Sequence, residues 1–345
     1  PDADIFVPDG APLPDALRRA THVCVGTHQD DQEFMAFHGI AECFGRKDRG
    51  FAGVVVTNGA GSARTDIYAD YTNEEMVQVR VKEQRKAAVV GEYACQVQLM
   101  YPSSDVKKAG HPGVLADLAA VFGIVQPQVL YLHNPADKHD THVACCLRAI
   151  EAIRALPKER RPKKVLGCEI WRDLDWLNDA DKQVLPVERF KNLAASLSGV
   201  FDSQITGGKR YDVAVAGRRT AHASFFESHA TDKADALSFA MDLTPLVEDE
   251  KLDVLETVTQ PSLPVNRPSS QYSRCTLELS WPIENLGPSL PNLMATIAGN
   301  LFELRQVSGL RITGLALPPS FAAAYPGPAF GIAGTEPYGA TRWRF

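Results

Sequence analysis

Long apolar runs and dense basic runs are both missing from this sequence of 345 residues. A helix that crosses a bilayer needs about 20 consecutive apolar residues. No uncharged apolar stretch approaches that length, so we expect no membrane span. Lysine and arginine total 36 against 42 aspartate and glutamate residues, which gives a formal net charge of −6. Because nucleic-acid binders concentrate positive charge, this balance argues against a nucleic-acid partner.

Targeting, redox and nucleotide signals are scarce as well. The first residues have neither the basic region nor the apolar run of a secretory signal, so we expect a cytoplasmic protein. The seven cysteines form no Cys-x-x-Cys pair, which favours buried reduced thiols over a disulfide framework. No Gly-x-Gly-x-x-G follows the first predicted strand, which weighs against a dinucleotide site. No Gly-x-Ser-x-Gly supports a serine nucleophile.

The sequence does contain a regular alternation of apolar strand-like runs and helical patterns, and 45% of its residues are hydrophobic. Strands are predicted at 22–27, 51–56, 95–100, 128–132 and 165–170. Helices are predicted at 31–44, 74–90, 114–125, 140–156, 187–201 and 214–229. This alternation predicts an α/β fold with a doubly wound, mostly parallel, Rossmann-like sheet. The loops that follow its strands then meet at the carboxyl edge, where ligands bind.

A change of composition near residue 260 marks a domain boundary. The segment from Gln260 holds three prolines and three serines within eleven residues, as in a linker. We therefore predict a first domain over residues 1–259, a linker over 260–271 and a small α+β segment over 272–345.

The first chemical motif, Thr27-His-Gln-Asp-Asp31, follows the first predicted strand directly. His28 and Asp31 are three residues apart on an opening helical turn, so their side chains can point to one side. Asp30 lies between them and could reach a metal-bound water without being a ligand. Alone, the motif also fits an ordinary helix N-terminus, where carboxylates oppose the helix dipole.

A second motif, His139-Asp-Thr-His142, follows the fourth predicted strand. Its two histidines are again three apart on the first turn of a helix, and the topology brings both motifs to one sheet edge. His28, Asp31 and one of His139 and His142 would make a two-histidine, one-carboxylate zinc site with an open position for water. Such a site activates water for hydrolysis.

These motifs resemble those of the PIG-L (LmbE-like) zinc N-deacetylases over residues 20–240. His28-Gln-Asp-Asp-Gln is similar to the family's His-Pro-Asp-Asp-Glu, and residues 139–142 are similar to its His-Pro-Asp-His. Between them, the strand end at 56–59 and the Arg80/Glu83 helix resemble family elements. The resemblance implies that His28, Asp31 and His142 are zinc ligands. It also implies that Asp30 is the general base and that His139 stabilises the oxyanion.

The sequence departs from the family pattern in both motifs. Gln29 and Gln32 replace Pro and Glu, and neither position is a ligand. Asp140 and Thr141 stand where Pro and Asp occur, which leaves the charge of His139 open. Arg80 and Glu83 are interpreted mainly as a structural pair. Four further residues are candidates for substrate contact, with a solvated loop or a structural role as the alternative: Arg64, Asp66, His222 and His229.

The C-terminal segment carries a second resemblance. Residues 272–334 look like part of the N-terminal α+β domain of RuBisCO-like proteins, without the barrel that holds their metal-binding lysine. We therefore expect no carboxylase or enolase chemistry from it. Packing or oligomerisation is the predicted role, and a homo-oligomer is the expected assembly.

The function predicted from these features is a zinc-dependent hydrolase that removes an N-acetyl group from an amino sugar or its conjugate. Its expected partner is thus a small N-acetylated molecule, and its expected cofactor is Zn²⁺. The alternatives are a non-catalytic sugar- or nucleotide-binding module and an assembly scaffold that retains the fold. Asp30 favours the enzyme, because a binding module needs no base beside a metal-bound water.

Overall fold

The computed structural model describes residues 2–227, 229–254, 332–335 and 341–343. The chain divides into two compact units, Pro1–Leu263 and Pro264–Phe345. Most of the predicted linker and C-terminal segment lies outside the described residues. In the second unit, strands β9 (Ile332–Thr335) and β10 (Thr341–Trp343) pair in antiparallel fashion. No described helix is long and apolar enough to cross a membrane.

The first unit is built on one mixed sheet of eight strands in the order β1-β4-β3-β2-β5-β6-β8-β7. The five central strands are parallel, and β1 and β8 each pair antiparallel with a neighbour. This sheet, with helices on both sides, confirms the predicted α/β class. The strands are β1 (Asp4–Phe6), β2 (His22–Gly26), β3 (Phe51–Thr57), β4 (Cys95–Tyr101), β5 (Val129–His133), β6 (Lys164–Cys168), β7 (Gln183–Pro186) and β8 (Leu237–Asp242).

Eleven α-helices connect and cover these strands within the described part of the first unit. They are α1 (Leu13–Arg18), α2 (Asp31–Met35), α3 (Phe37–Cys43), α4 (Asn73–Val90), α5 (Ser103–Val106), α6 (Pro112–Ile124), α7 (Asp140–Arg154), α8 (Lys191–Gly199), α9 (Asp202–Ile205), α10 (Tyr211–Phe225) and α11 (Thr244–Glu248). The long helix α4 begins with a capping box, in which Thr72 and Glu75 satisfy each other's backbone N–H groups.

The core lies on both faces of the sheet because its central strands are buried on both sides. Every residue of β2 and of β3 is buried, as expected for parallel strands covered by two helical layers. One layer packs α6 and α7 against the sheet, and the other packs α3 and α8. Six of the seven cysteines are buried in these layers and unpaired, and Cys275 lies outside the described residues.

The topological switch point of the sheet lies between β2 and β5. From β2 the chain proceeds through β3 to β4 on one side, and then returns to place β5 on the other side of β2. The loops after β2 and β5 therefore diverge in opposite directions and leave a crevice at the carboxyl edge. Both predicted motifs lie in these two loops.

Candidate metal centre and catalytic cleft

The loop after β2 holds Asp31 in a fixed orientation at the start of α2. Asp31 Oδ2 accepts hydrogen bonds from the backbone N–H groups of Thr27, at 3.0 Å, and His28, at 2.6 Å. The carboxylate is 3% exposed. Burial disfavours its charge, yet the neighbouring His142 and His133 hold the pKa of Asp31 well below its usual value. The result is a buried, ionised carboxylate aimed at the crevice.

The structure brings His28, Asp31 and His142 together across the switch point. His28 Nδ1 lies 3.4 Å from Asp31 Oδ2, and His142 Nε2 lies 3.5 Å from Asp31 Oδ1. The two imidazoles approach to 3.2 Å between His142 Nε2 and His28 Nδ1. Two nitrogens and one carboxylate that converge in this way are a donor set suited to zinc.

His142 is supported from behind by a second carboxylate. Its Nδ1 lies 3.4 Å from Asp137 Oδ2, and neither side chain is exposed. Such a partner turns the other ring nitrogen toward a metal and sets the tautomer. Burial lowers the pKa of His142 to about 4, so the imidazole is neutral at physiological pH with a lone pair to donate. Asp137 was not singled out in the sequence, where only its position between the two histidines 133 and 139 could have marked it.

His133, the last residue of β5, is also part of the cluster. Its ring stacks on His142 at 4.0 Å between centroids, and its Nε2 lies 3.3 Å from Asp31 Oδ2. Asp31, His133 and His142 form a second group that could hold a metal, and His28, His139 and His142 form a third. However, the backbone N–H of Thr27 lies 3.0 Å from both Asp31 Oδ2 and His133 Nε2, so the His133 lone pair accepts a share of this hydrogen bond. The sequence signal for His133 was its place directly after the predicted strand 128–132.

Asp30 lies beside the cluster in a strained backbone conformation. Its φ is 92°, in the region that non-glycine residues rarely adopt and that is found at functional sites. Its side chain is held by Arg80, whose Nη2 lies 3.1 Å from Asp30 Oδ2. Burial raises the pKa of Asp30 to about 7, and the Arg80 guanidinium opposes that shift. A carboxyl group with this pKa can both take up and release a proton near neutral pH.

Arg80 and Glu83 form the pair predicted on α4, and Arg80 additionally reaches the site. Arg80 Nη1 lies 3.3 Å from Glu83 Oε2, and the guanidinium also donates to the carbonyl of Gln29. Glu83 in turn accepts hydrogen bonds from the backbone and hydroxyl of Ser203, at 2.8 and 2.7 Å. The buried pair therefore ties α4 and α9 to the loop that carries Asp30.

His139 lies at the N-cap of α7, half-buried above the cluster. Its ring stacks on His142 at 4.3 Å and meets the ring of His28 edge-on at 5.2 Å. Burial, assisted by the charge of His28, lowers the pKa of His139, so the neutral form is favoured. The charge of His139 was left open in the sequence because Thr141 stands where the family has Asp. The lowered pKa favours a neutral His139.

The cluster forms the floor of a cleft with a volume of about 760 Å³. Its walls combine apolar and aromatic side chains with several cations, and the size suits a small molecule. On one side lies the glycine-containing loop after β3, and on the other lie residues after β6 and at the start of α10. Residues of the walls include Phe34, Gly59, Ser62, Lys107, Lys138, Ile170, Trp171, Lys209, Arg210, Tyr211 and Arg218.

None of the four residues predicted to contact substrate is among the described residues that line this cleft. Arg64 donates to the Tyr71 carbonyl at 2.9 Å, and Asp66 is exposed in a short 3₁₀ helix. His222 is buried with its Nε2 2.9 Å from Glu169 Oε2. His229 is exposed on the surface after α10. A role of these four residues in substrate contact stays a prediction.

Residues 23–153 match a protein-family model described as PIG-L: GlcNAc-PI de-N-acetylase. This match contains both motifs and confirms the resemblance predicted from them. Two solved structures to which this chain is similar are a 4-carboxy-2-hydroxymuconate hydratase and an N,N'-diacetylchitobiose deacetylase. The hydratase, GalB from Pseudomonas putida KT2440, has a TM-score of 0.53 at 17% identity over 65% of this chain and 96% of its own. The deacetylase, from Pyrococcus horikoshii, has a TM-score of 0.47 at 15% identity over 66% of this chain and 86% of its own.

Curated relatives match a different part, the C-terminal segment, and bear out its predicted similarity to RuBisCO-like proteins. A 3-oxo-isoapionate-4-phosphate transcarboxylase/hydrolase from Xanthobacter autotrophicus is 69% identical over 87 residues, which are 25% of this chain and 21% of that protein. An uncharacterized ribulose bisphosphate carboxylase-like protein from Bordetella bronchiseptica is 48% identical over 88 residues, with the same two shares. This chain thus spans about a fifth of the length of these relatives.

Proposed function

We propose, from the PIG-L match over residues 23–153, that the first unit is a zinc-dependent hydrolase that removes an N-acetyl group from an amino sugar or its conjugate. One observation carries the proposal. Side chains from two distant loops place two imidazole nitrogens and a carboxylate within 3.2–3.5 Å of one another, next to the buried Asp30. A site that only binds a sugar needs neither this set of metal-binding groups nor a carboxyl group beside it that can accept a proton.

The residues present fit a zinc ion. The favoured ligands are His28, Asp31 and His142, since His133 already accepts a backbone hydrogen bond and His142 has a carboxylate behind it. Three protein ligands leave a further coordination position open, as in catalytic zinc sites. When bound, the ion would polarise the acyl carbonyl and lower the pKa of a coordinated water to about 7.

Asp30 is the proposed general base. Its carboxylate takes a proton from the water that attacks the amide carbon, and the new carbon–oxygen bond forms. The same carboxyl group then donates that proton to the nitrogen as the carbon–nitrogen bond breaks, which releases acetate and the amine. Arg80, 3.1 Å away, keeps the carboxylate in place between these two transfers.

His139 is the proposed contact for the carbonyl oxygen. The ring lies over the cluster beside the cleft, with 35% of its side chain exposed. A neutral imidazole can donate one N–H to the oxygen as negative charge develops on it. The lowered pKa of His139 supports hydrogen bonding by this neutral form rather than by an imidazolium.

The test is acetate release by the zinc-loaded, full-length protein from N-acetylglucosamine and conjugates that carry it. We expect release that stops when a chelator removes the metal and resumes when zinc is returned. Sugar binding with full zinc occupancy but no acetate from any N-acetylated compound would instead establish the non-catalytic binding module.

A further inference from the structure

We propose that Lys138, Lys209 and Trp171 form a subsite for an anionic group of the substrate, a phosphate ester. The proposal rests on the proposed function, because it places this subsite in the cleft of the deacetylase. It names a class of substrate: an N-acetyl amino sugar that carries a phosphate.

The two lysines share one aromatic ring. Lys209 Nζ lies 4.4 Å from the centroid of the Trp171 ring, and Lys138 Nζ lies 5.9 Å from the same centroid. Both side chains line the cleft with Trp171. A cation is attracted to the face of an indole, so the ring attracts both ammonium groups without neutralising their charge.

Lys138 and Lys209 have no carboxylate within 4.0 Å among the described residues, in contrast to Lys107, Arg210 and Arg80. Lys107 pairs with Asp140 at 2.8 Å, and Arg210 pairs with Asp212 at 2.8 Å. Arg218 donates to the carbonyl of Ile170, and Arg80 is committed to Asp30 and Glu83. Among the cleft cations, Lys138 and Lys209 thus have neither an ion-pair partner within 4.0 Å in the described residues nor a backbone carbonyl that takes their ammonium group, which leaves both available to an anionic ligand.

The subsite is fixed relative to the metal cluster. The Trp171 ring lies 6.2 Å from the His139 ring, and the Trp171 backbone N–H donates to Asp137 Oδ2 at 3.3 Å. Asp137 is the same carboxylate that supports His142. On its other side, Trp171 packs edge-on against Tyr211 at 5.9 Å. An acetamido group over the cluster can therefore belong to the same small molecule as an anion on the lysines.

The charge at this position favours a dianion. Two ammonium groups held against one ring repel each other, and a single group that contacts both relieves that repulsion. Phosphate carries about −1.5 to −2 charges at neutral pH and three acceptor oxygens, whereas a carboxylate carries a single charge. Lysine is a recognised phosphate binder as a point charge. The positive charge of the two lysines is a local feature of the cleft, since the chain as a whole has a formal net charge of −6.

The test measures binding and turnover separately with the full-length, zinc-loaded protein. Glucosamine 6-phosphate, glucosamine 1-phosphate and glucosamine are titrated calorimetrically into the wild type, K138M, K209M and the double variant. K47M is the matched control, since Lys47 is exposed and follows α3 at the opposite edge of the sheet. We expect a phosphorylated amino sugar to bind more tightly than glucosamine, and each cleft variant to lose roughly ten-fold of that affinity. K47M should behave as the wild type, and inorganic phosphate should compete.

Acetate release from the corresponding N-acetylated compounds separates the two proposals. Preference for a phosphorylated substrate that falls in the lysine variants, mainly through a higher KM, supports the subsite. Tight, lysine-dependent binding without acetate release supports the subsite and overturns the proposed function. Equal kcat/KM for phosphorylated and neutral substrates, unchanged in the double variant, overturns the subsite and leaves the function. Preference for the carboxylated probe N-acetylglucosaminuronic acid overturns the choice of phosphate.

Discussion

At the scale of single residues, Asp30 combines three unusual properties: a φ of 92°, burial and an arginine partner. The positive φ and the burial of a carboxylate both cost stability, and the arginine partner comes from a distant helix. Together these properties hold one carboxylate beside the proposed ligands. Asparagine has nearly the same shape and tolerates positive φ, but it cannot accept a proton. This makes a change of Asp30 to asparagine a selective test of the base.

We expect D30N to retain its zinc while kcat falls by roughly 100-fold or more, because a positioned general base contributes about 10²–10⁴. Metal content by elemental analysis and acetate release provide the two measurements. D66N is the control, since Asp66 also has a positive φ, of 52°, but does not line the cleft. Wild-type rates in D30N would assign the base to another residue.

The metal ligands permit a second test at this scale, in which two neighbouring histidines are compared. Purified protein should hold about one zinc per chain. H142A should lower that occupancy, because His142 Nε2 faces His28 Nδ1 and the Asp31 carboxylate. H133Q should retain more zinc, because His133 Nε2 already accepts the Thr27 N–H. Undiminished zinc in H142A, or loss of zinc confined to H133Q, would mean that His133 is the metal ligand and His142 is not.

His22 provides a test of stability against pH that is remote from the metal site. It begins β2 and is 6% exposed, and burial lowers its pKa to about 4 from an ordinary value of 6.5. The unfolded chain therefore binds more protons than the folded chain between those values, so stability is lost as pH falls from about 6.5 toward 4. The loss from this group is at most about 3 kcal/mol.

Urea unfolding of wild type and H22Q at pH 7, 6, 5 and 4 measures this effect. The difference in unfolding free energy between the two proteins should narrow or reverse as pH falls, since the variant lacks the group that charges on unfolding. H229Q, at an exposed site, should follow the wild type at every pH. A constant difference between wild type and H22Q would remove His22 as a source of acid sensitivity.

At the scale of elements, the parallel centre of the sheet matched its prediction and the antiparallel edges did not. Strands β2 to β6 were predicted because each is a short apolar run followed by a helix. The edge strands β1 and β7, and β8 between β6 and β7, were not predicted. β7 has four residues and β1 has three, so neither carries a readable alternation, and their strand identity comes from pairing with a neighbour.

The helix predicted over residues 31–44 is two helices, α2 and α3, which meet at Ala36 with φ −114° and ψ 20°. The break lets α3 approach β5 closely. A Cβ at Gly39 would lie 2.5 Å from Tyr131 Cε2 and 2.8 Å from Cζ, so only glycine fits against the buried tyrosine ring. Hydrophobic periodicity does not reveal such a contact, because the partner is about 90 residues away in the chain.

This contact predicts opposite effects for two glycine-to-alanine changes in helices. G39A should destabilise the fold by about 1–3 kcal/mol, since the Tyr131 ring and its hydrogen bond to His38 must move. G217A, in α10 with nothing within 4 Å of its added Cβ, should stabilise by about 0.5–1 kcal/mol through helix propensity. Urea unfolding of both variants provides the comparison. Equal effects of the two changes would mean that α3 adjusts without cost.

At the scale of the whole molecule, the PIG-L match and the described site both lie in the first compact unit. The C-terminal segment corresponds to a fifth of its curated relatives. We infer that the first unit is the catalytic part and that the second serves packing or assembly, with a homo-oligomer as the expected state. The described residues that line the cleft and form the ligand cluster belong to the first unit.

A chain truncated after Leu263 should therefore bind zinc and release acetate at rates within about two-fold of the full chain. Its apparent mass in solution, measured by light scattering, should fall by more than the removed segment if that segment mediates self-association. Circular dichroism and zinc analysis show whether the shortened chain is folded. A folded, zinc-bound chain without activity would show that the second unit completes the active site.

The sequence by itself determined the features that depend on local spacing. In each of the pairs His28/Asp31 and His139/His142 the two residues are three positions apart and come after a predicted strand. The second pair lies at the start of α7, as this spacing predicts, whereas His28 precedes α2 in the loop. Strand-helix alternation implied the parallel sheet, and the sheet implied that both loops share an edge. The resemblance to PIG-L added the proposed roles of these residues.

Only the tertiary structure decided the contacts between elements far apart in the chain. Arg80 reaches Asp30 across 50 residues, and Lys209 reaches Trp171, which in turn contacts the carboxylate behind His142. Four polar residues predicted to contact substrate are not among the described residues that line the cleft. The physical reason is that side-chain direction and burial depend on packing between layers, where the strand order places distant segments side by side, and no local pattern records that order.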